Sequence, residues 1–217
     1  MLSKIYSKIS YFCVTLCVLM FLPDQVHTQI NKEHIKIGFA SGVGSQSRYP
    51  FNQSDYTHEI LFYKGQINFT LKEKRRWAYE LHIEPGFNTI EHQLLNKWFV
   101  KEDDYKNYEE KKELFLKKRS INEYVLNFGF AVRYTIIKNF SSYVIGSVGP
   151  MISDKATERL AKGYAFSDVL GLGVSYQIEK WQLGFRYSIR HTSNLDMKYP
   201  NSGHNTTNTE FSILYQL

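Results

Sequence analysis

The sequence predicts an all-β fold, an eight-stranded antiparallel transmembrane β-barrel of the bacterial outer membrane, on three observations. Apolar and polar residues alternate with a two-residue period over segment after segment, the pattern of strands with one apolar and one polar face. The apolar partners are bulky and often aromatic, whereas the opposite face is small, polar or charged, with both signs present in Glu80, Glu84, Arg133, Arg186 and Arg190. The connections alternate between short and long. A soluble sandwich or lipocalin-type barrel would turn its bulky residues inward, while a transmembrane barrel turns them to lipid. Eight strands enclose a lumen only wide enough for side chains, so paired charges would fill it and leave no pore. The mean hydropathy of −0.38 fits, because no strand of such a barrel needs a continuous apolar run.

The N-terminus is set aside first. Lys4 and Lys8, the apolar run Tyr11 to Leu22 and the cleavage-site candidate Val26-His27-Thr28 read as a signal peptide over residues 1–28. The run is too short for a membrane helix, which needs about 20 apolar residues. Both cysteines, Cys13 and Cys17, fall inside it. The mature chain, residues 29–217, is thus expected to be one barrel domain without disulfides, a cysteine metal site or a thiol nucleophile.

The strands follow in order. Ile35, Ile37 and Phe39 oppose Lys36, Gly38 and Ala40. Leu61, Tyr63, Ile67, Phe69 and Leu71 oppose Lys64, Gln66, Asn68 and Thr70. Trp77, Tyr79, Leu81 and Ile83 oppose Ala78, Glu80, His82 and Glu84. Leu126, Phe128, Phe130, Val132 and Tyr134 oppose Asn127, Gly129, Ala131, Arg133 and Thr135. Tyr143 to Met151 forms a fifth segment with a blurred pattern, and Leu170, Leu172, Val174, Tyr176 and Ile178 a sixth, where Gly171 and Gly173 smooth the lumen wall. In the seventh, Trp181, Leu183, Phe185, Tyr187 and Ile189 alternate with Gln182, Gly184, Arg186, Ser188 and Arg190. Phe211, Ile213, Tyr215 and Leu217 form the eighth.

From a periplasmic N-terminus, the turns near Lys72 to Arg75, Lys138 to Phe140 and Glu179-Lys180 are short. The loops at roughly Gly44 to Thr57, Asn88 to Ser120, Ser153 to Ala165 and Thr192 to Thr207 are long, as on the outer rim of such barrels. The longest has room for a short helix near Leu94 to Val100. Lysines and arginines outnumber acids by 27 to 21, giving +6. Much of this charge sits between Lys97 and Arg119 as a mixture of signs, which reads as a solvated loop. No basic stripe interleaved with stacking aromatics is present, so nucleic acid is not an expected partner.

Parity carried past Ile189 puts His191 and Ser193 on the apolar, lipid-facing side at the outer rim. Residues two apart on a strand share a face, so their side chains can lie within hydrogen-bonding reach. Serine needs a base to become a nucleophile, and histidine is the usual one near neutral pH. Such a pair would meet substrates lying in the outer leaflet. His34 and His204 lack partners at metal-ligand spacing, and His82 faces the lumen near Glu80 and Glu84, so no metal site and no cofactor is expected.

Phe185-Arg186, His191-Thr192-Ser193-Asn194, Asn201-Ser202-Gly203 and a final amphipathic strand resemble the signature of outer-membrane lipid A 3-O-deacylases, the PagL or acyloxyacyl hydrolase family. The resemblance implies a serine esterase that removes the 3-linked acyl chain of lipid A, with lipopolysaccharide of the outer leaflet as its partner. His191 would be the base and Ser193 the nucleophile. Asn194 and Asn201 would supply oxyanion donors or order the loop, and Gly203 would let the loop approach closely. Members of the family carry a glutamate fourteen residues after the histidine to orient the ring, where this chain has Asn205. An amide oxygen accepts the ring N–H but lacks the charge that stabilises an imidazolium. Glu210 is the nearest downstream carboxylate, and parity points it into the lumen. A barrel without catalysis, acting in adhesion, binding or membrane support, is the alternative reading.

Overall fold

The computed structural model describes residues 34–217, which form a closed antiparallel barrel in the order β1 to β8 with β1 paired to β8. The strands are β1 (Ile35–Ser45), β2 (Tyr56–Lys74), β3 (Trp77–Leu94), β4 (Arg119–Ile137), β5 (Phe140–Ser153), β6 (Gly163–Ile178), β7 (Trp181–Ser193) and β8 (His204–Gln216). The expected signal peptide lies outside the described residues.

The direction of the side chains follows the sequence pattern. Phe39, Leu61, Tyr63, Trp77, Phe128, Leu172, Leu183, Phe211 and Ile213 stand on the outer wall, exposed. Aromatic pairs ring both ends of it. Trp77–Tyr134 and Trp181–Tyr215 lie near the short turns, with ring centroids 4.8 and 4.9 Å apart, and Phe87–Tyr124 and Tyr164–Phe166 sit toward the long loops at 5.3 and 5.1 Å. Rings with an apolar body and a polar edge favour such interfacial belts.

The lumen is filled by ion pairs. Arg133 Nε and Nη2 donate to Glu80 at 2.7 and 2.8 Å, and His82 Nε2 lies 3.1 Å from Glu80 Oε2. Arg186 bridges Glu84 at 2.9 Å and Glu210 at 2.7 Å, and Arg190 meets Glu123 at 2.8 Å. Both acids on Arg186 are buried, so each charge depends on the others for its stability. A layer of Ile60, Phe62, Ile90 and Ile121 lies nearer the long-loop rim.

β5 was blurred in sequence because Tyr143, Ile145 and Met151 point inward, where they are buried, while Val144 and Ile152 face out. Large apolar residues therefore occur on both of its faces. The longest connection departs from expectation. β3 runs on to Leu94, held by pairing with Tyr56 of β2, and no helix forms near Leu94 to Val100. The helix is α1 (Tyr108–Leu116), preceded by a 3₁₀ turn at Glu102–Asp104. Glu109 and Glu110 in its first turn suit the positive end of the helix dipole. Phe115 anchors it in a cluster with Leu94 and Val100. Leu94 and Val100 thus serve as the helix's docking surface rather than as the helix.

Candidate active site

The register of three strands assembles the polar site. His191 of β7 pairs with Asn205 of β8 on one side and with Asp168 of β6 on the other. Directly opposed residues in an antiparallel sheet point the same way, so all three occupy the outer face of the wall. Residues 182 to 194 alternate, the even ones buried except the half-buried Gly184, and His191 and Ser193 are half-buried on the outer side at the long-loop end.

His191 Nδ1 and Asn205 Oδ1 are 2.7 Å apart. An amide oxygen only accepts, so Nδ1 carries the proton and Nε2 keeps its lone pair free. Ser193 ends β7, two residues on, opposite Phe166. Among the described residues its hydroxyl makes no hydrogen bond to His191.

The loop from 194 to 203 is tied down by its own side chains. The Asn194 backbone N–H donates to Asn201 Oδ1 at 2.6 Å, and Asn194 Nδ2 donates to the Lys198 carbonyl at 2.6 Å. Asn194 is buried with its amide N–H groups spent inside the loop, while its Oδ1 has no partner among the described residues. Asn201 Nδ2 donates to Asp196 Oδ1 at 2.9 Å, which leaves its second amide hydrogen uncommitted among the described residues. Asp196 is therefore a loop residue rather than a partner of His191.

Gly203 has φ +68, and a Cβ there would run into the Thr192 carbonyl and lie 3.0 Å from His191 Cε1. Both the backbone conformation and the close approach to the imidazole require glycine. The β5–β6 connection supports this loop from within. Arg159 Nε donates to the Gly203 carbonyl at 2.7 Å, the Gly203 N–H to the Arg159 carbonyl at 3.0 Å, and the Ala161 N–H to the Pro200 carbonyl at 2.9 Å.

Glu210 sits in the lumen as its parity requires, bonded to Arg186 and Lys64. Asp168 is the residue that sequence reasoning passed over. The signal was present, since it is a carboxylate among Phe166, Leu170 and Leu172 on the outward face of β6. Tyr49 was also missed. Its carbonyl accepts from Tyr187 Oη at 3.0 Å and Thr207 Oγ1 at 2.9 Å, fastening the first long loop to the wall beside the site.

The histidines are grouped differently from their spacing in the chain. His204 was read as isolated, yet His58, His92 and His204 bring one ring nitrogen each within 4.8 Å of one another. They are 34 or more residues apart in the chain, so no spacing motif announces them.

Fold and site together define a small outer-membrane β-barrel whose polar constellation opens on the wall rather than in the lumen. The chain belongs to the PagL lipid A 3-O-deacylase family, whose profile matches residues 61–213. No curated protein matches it. Among solved structures, the crystal structure of the outer membrane enzyme PagL shares the fold at 11% identity and a TM-score of 0.50, covering 82% of this chain and 97% of that one. The outer membrane protein OprG of Pseudomonas aeruginosa (11% identity, TM-score 0.38) covers 83% of this chain and 90% of its own. Ail, the attachment invasion locus protein of Yersinia pestis (11%, 0.36), covers 83% and 95%.

Proposed function

We propose that the chain is a serine esterase of the outer leaflet that hydrolyses the 3-linked acyl ester of lipid A. The observation that supports it best is the 2.7 Å contact between His191 Nδ1 and Asn205, which leaves Nε2 as the free nitrogen of a ring on the same outer face as Ser193. A substrate embedded in the leaflet reaches this face by lateral diffusion and needs no cavity in the barrel.

Ser193 Oγ attacks the ester carbonyl carbon while His191 Nε2 takes its proton. The oxyanion of the tetrahedral intermediate is met by the uncommitted amide hydrogen of Asn201, and one such donor is worth ~10²–10³ in rate. The intermediate collapses, the sugar oxygen leaves with the proton from His191, and the acyl group stays on Ser193. Water then attacks the acyl-enzyme, giving its proton to His191, and the fatty acid departs as Ser193 is reprotonated. Asn194 and Gly203 act by shaping the loop. Asn205 orients His191 and fixes its tautomer. Because Asn205 is neutral, Asp168 on the neighbouring strand supplies the negative charge that favours the imidazolium.

Mass spectrometry of lipid A from cells expressing the wild type or Ser193→Ala is the direct test. The wild type should remove one hydroxyacyl chain, and Ser193→Ala should lose about 10⁶-fold in rate while keeping the heat-modifiable mobility of a folded barrel. Unchanged lipid A in the wild type would instead leave a barrel that acts without catalysis. Substantial turnover in Ser193→Ala would make a water activated by His191 the attacking group.

A further inference from the structure

Three histidines from three strands meet inside the barrel, across the wall from His191. His58 of β2 and His92 of β3 are cross-strand partners, and His204 of β8 stacks on His58 with centroids 4.2 Å apart and lies edge-on to His92 at 5.3 Å. All three are at most 2% exposed. Tyr56 packs against each ring, and the next inward residues on β2 and β3, Ile60 and Ile90, separate the cluster from the ion pairs below.

The hydrogen bonds of this cluster are unusual for a purely structural core. His92 Nε2 faces Glu158 Oε2 at 2.8 Å. A carboxylate accepts, so the proton sits on Nε2 and His92 Nδ1 is a lone pair, 3.1 Å from His58 Nδ1. His204 Nε2 is bonded to Thr157 Oγ1 at 2.9 Å, which leaves Nδ1 as its unengaged nitrogen. Among the described residues, His204 Nδ1, His58 Nε2 and Glu158 Oε1 have no partner although they are buried. Buried polar atoms are nearly always bonded, and an unpartnered His204 nitrogen in a cluster that brings one nitrogen of each ring within 4.8 Å of the others points to something that binds there.

We infer that His58, His92 and His204 bind a divalent transition-metal ion of the zinc type, with Glu158 and Thr157 orienting two of the three rings. Imidazole donors suit zinc, copper and nickel rather than calcium or magnesium. Zinc–nitrogen bonds of about 2.0–2.1 Å in a tetrahedron place donor nitrogens roughly 3.3 Å apart, close to the His58–His92 separation. A ligating histidine normally gives its other ring N–H to a carboxylate or similar acceptor, and Glu158 stands at that position for His92, while Thr157, whose hydroxyl oxygen already accepts from the Arg159 and Leu160 N–H groups, holds the His204 ring in place. A solvent molecule completes the fourth position, since Glu158 is engaged on the far side of the His92 ring. Thr157 and Glu158 are continuous with Arg159 and Ala161, which hold the loop next to His191. The ion thereby fastens the inner support of the rim site, and this holds whether or not that site hydrolyses lipid A.

The test is a titration of the full-length barrel, refolded in detergent without a histidine tag, with Co²⁺ followed by Zn²⁺ competition. Saturable one-to-one binding is expected, with the visible bands of tetrahedral Co²⁺ and a thermal unfolding midpoint that rises with Zn²⁺. His58→Gln and His204→Gln should each abolish the bands, and His191→Ala should leave them intact. Glu158→Gln, which keeps size and fold, should weaken binding about 10- to 100-fold. Absence of saturable binding in the wild type would overturn the assignment. So would binding that survives in His58→Gln and His204→Gln, or an unchanged affinity in Glu158→Gln.

Discussion

Asn205 is the position where the proposed chemistry is most open to measurement. Its amide oxygen lies 2.7 Å from His191 Nδ1. During attack by Ser193 the imidazole becomes a cation, and a hydrogen bond to a charged group is worth about 1.5–3 kcal/mol. Asn205→Ala removes it, so kcat should fall about 10- to 100-fold at one decade per 1.36 kcal/mol. Asn205→Glu replaces a dipole by a charge at the same register. Two unit charges 4 Å apart at an effective dielectric near 20 attract by about 4 kcal/mol, part of which is offset by partly desolvating the new carboxylate. Activity should stay equal or rise by up to about tenfold. The assay is release of the 3-linked acyl chain from lipid A in mixed micelles, with folding checked by heat-modifiable migration. Unchanged kcat in Asn205→Ala, together with loss in Glu210→Gln, would refute the reasoning, because it would give the orienting role to a residue that the structure places in the lumen.

The remaining predictions follow from neighbouring residues. Asp168→Asn should lower kcat about tenfold with little change in KM, and Asn205→Glu should rescue it, because one charge beside His191 suffices; a double mutant slower than Asp168→Asn would rule out a shared role. Gly203→Ala should cost about 1–2 kcal/mol in backbone conformation alone and displace His191, so urea unfolding should shift to lower concentration and activity should drop; wild-type values of both would contradict the close approach. Arg186→Met leaves Glu84 and Glu210 buried without their shared cation and should destabilise the barrel by about 3–5 kcal/mol in urea titration, while the folded fraction keeps wild-type turnover. A wild-type urea midpoint in Arg186→Met would show that Lys64 alone neutralises both acids.

The alternation of bulky and small or polar residues determined the strand faces, because side chains on a strand can only alternate and lipid outside reverses the usual inside-out arrangement. It therefore placed Glu210 in the lumen and His191 on the wall from sequence alone. The order of short and long connections gave the two rims, and the fourteen-residue step from His191 to Asn205 came from the family resemblance, with the pairing of β8 beside β7 as its physical basis. What sequence could not supply was register between strands distant in the chain. Asp168 is a different case, because β6 and β7 are consecutive and the Glu179-Lys180 turn sets its register opposite His191, so the sequence carried that neighbour unread. The three buried histidines became a cluster only when the barrel closed, since His58 and His204 lie on strands joined through β1 and meet across the lumen. The helix at Tyr108–Leu116 was missed for a related reason, as its burial rests on one residue, Phe115, docking onto the end of a strand that had been taken for loop. Periodicity is local and survives in the sequence. Closure of the barrel, and with it every contact across the lumen, belongs to the tertiary structure.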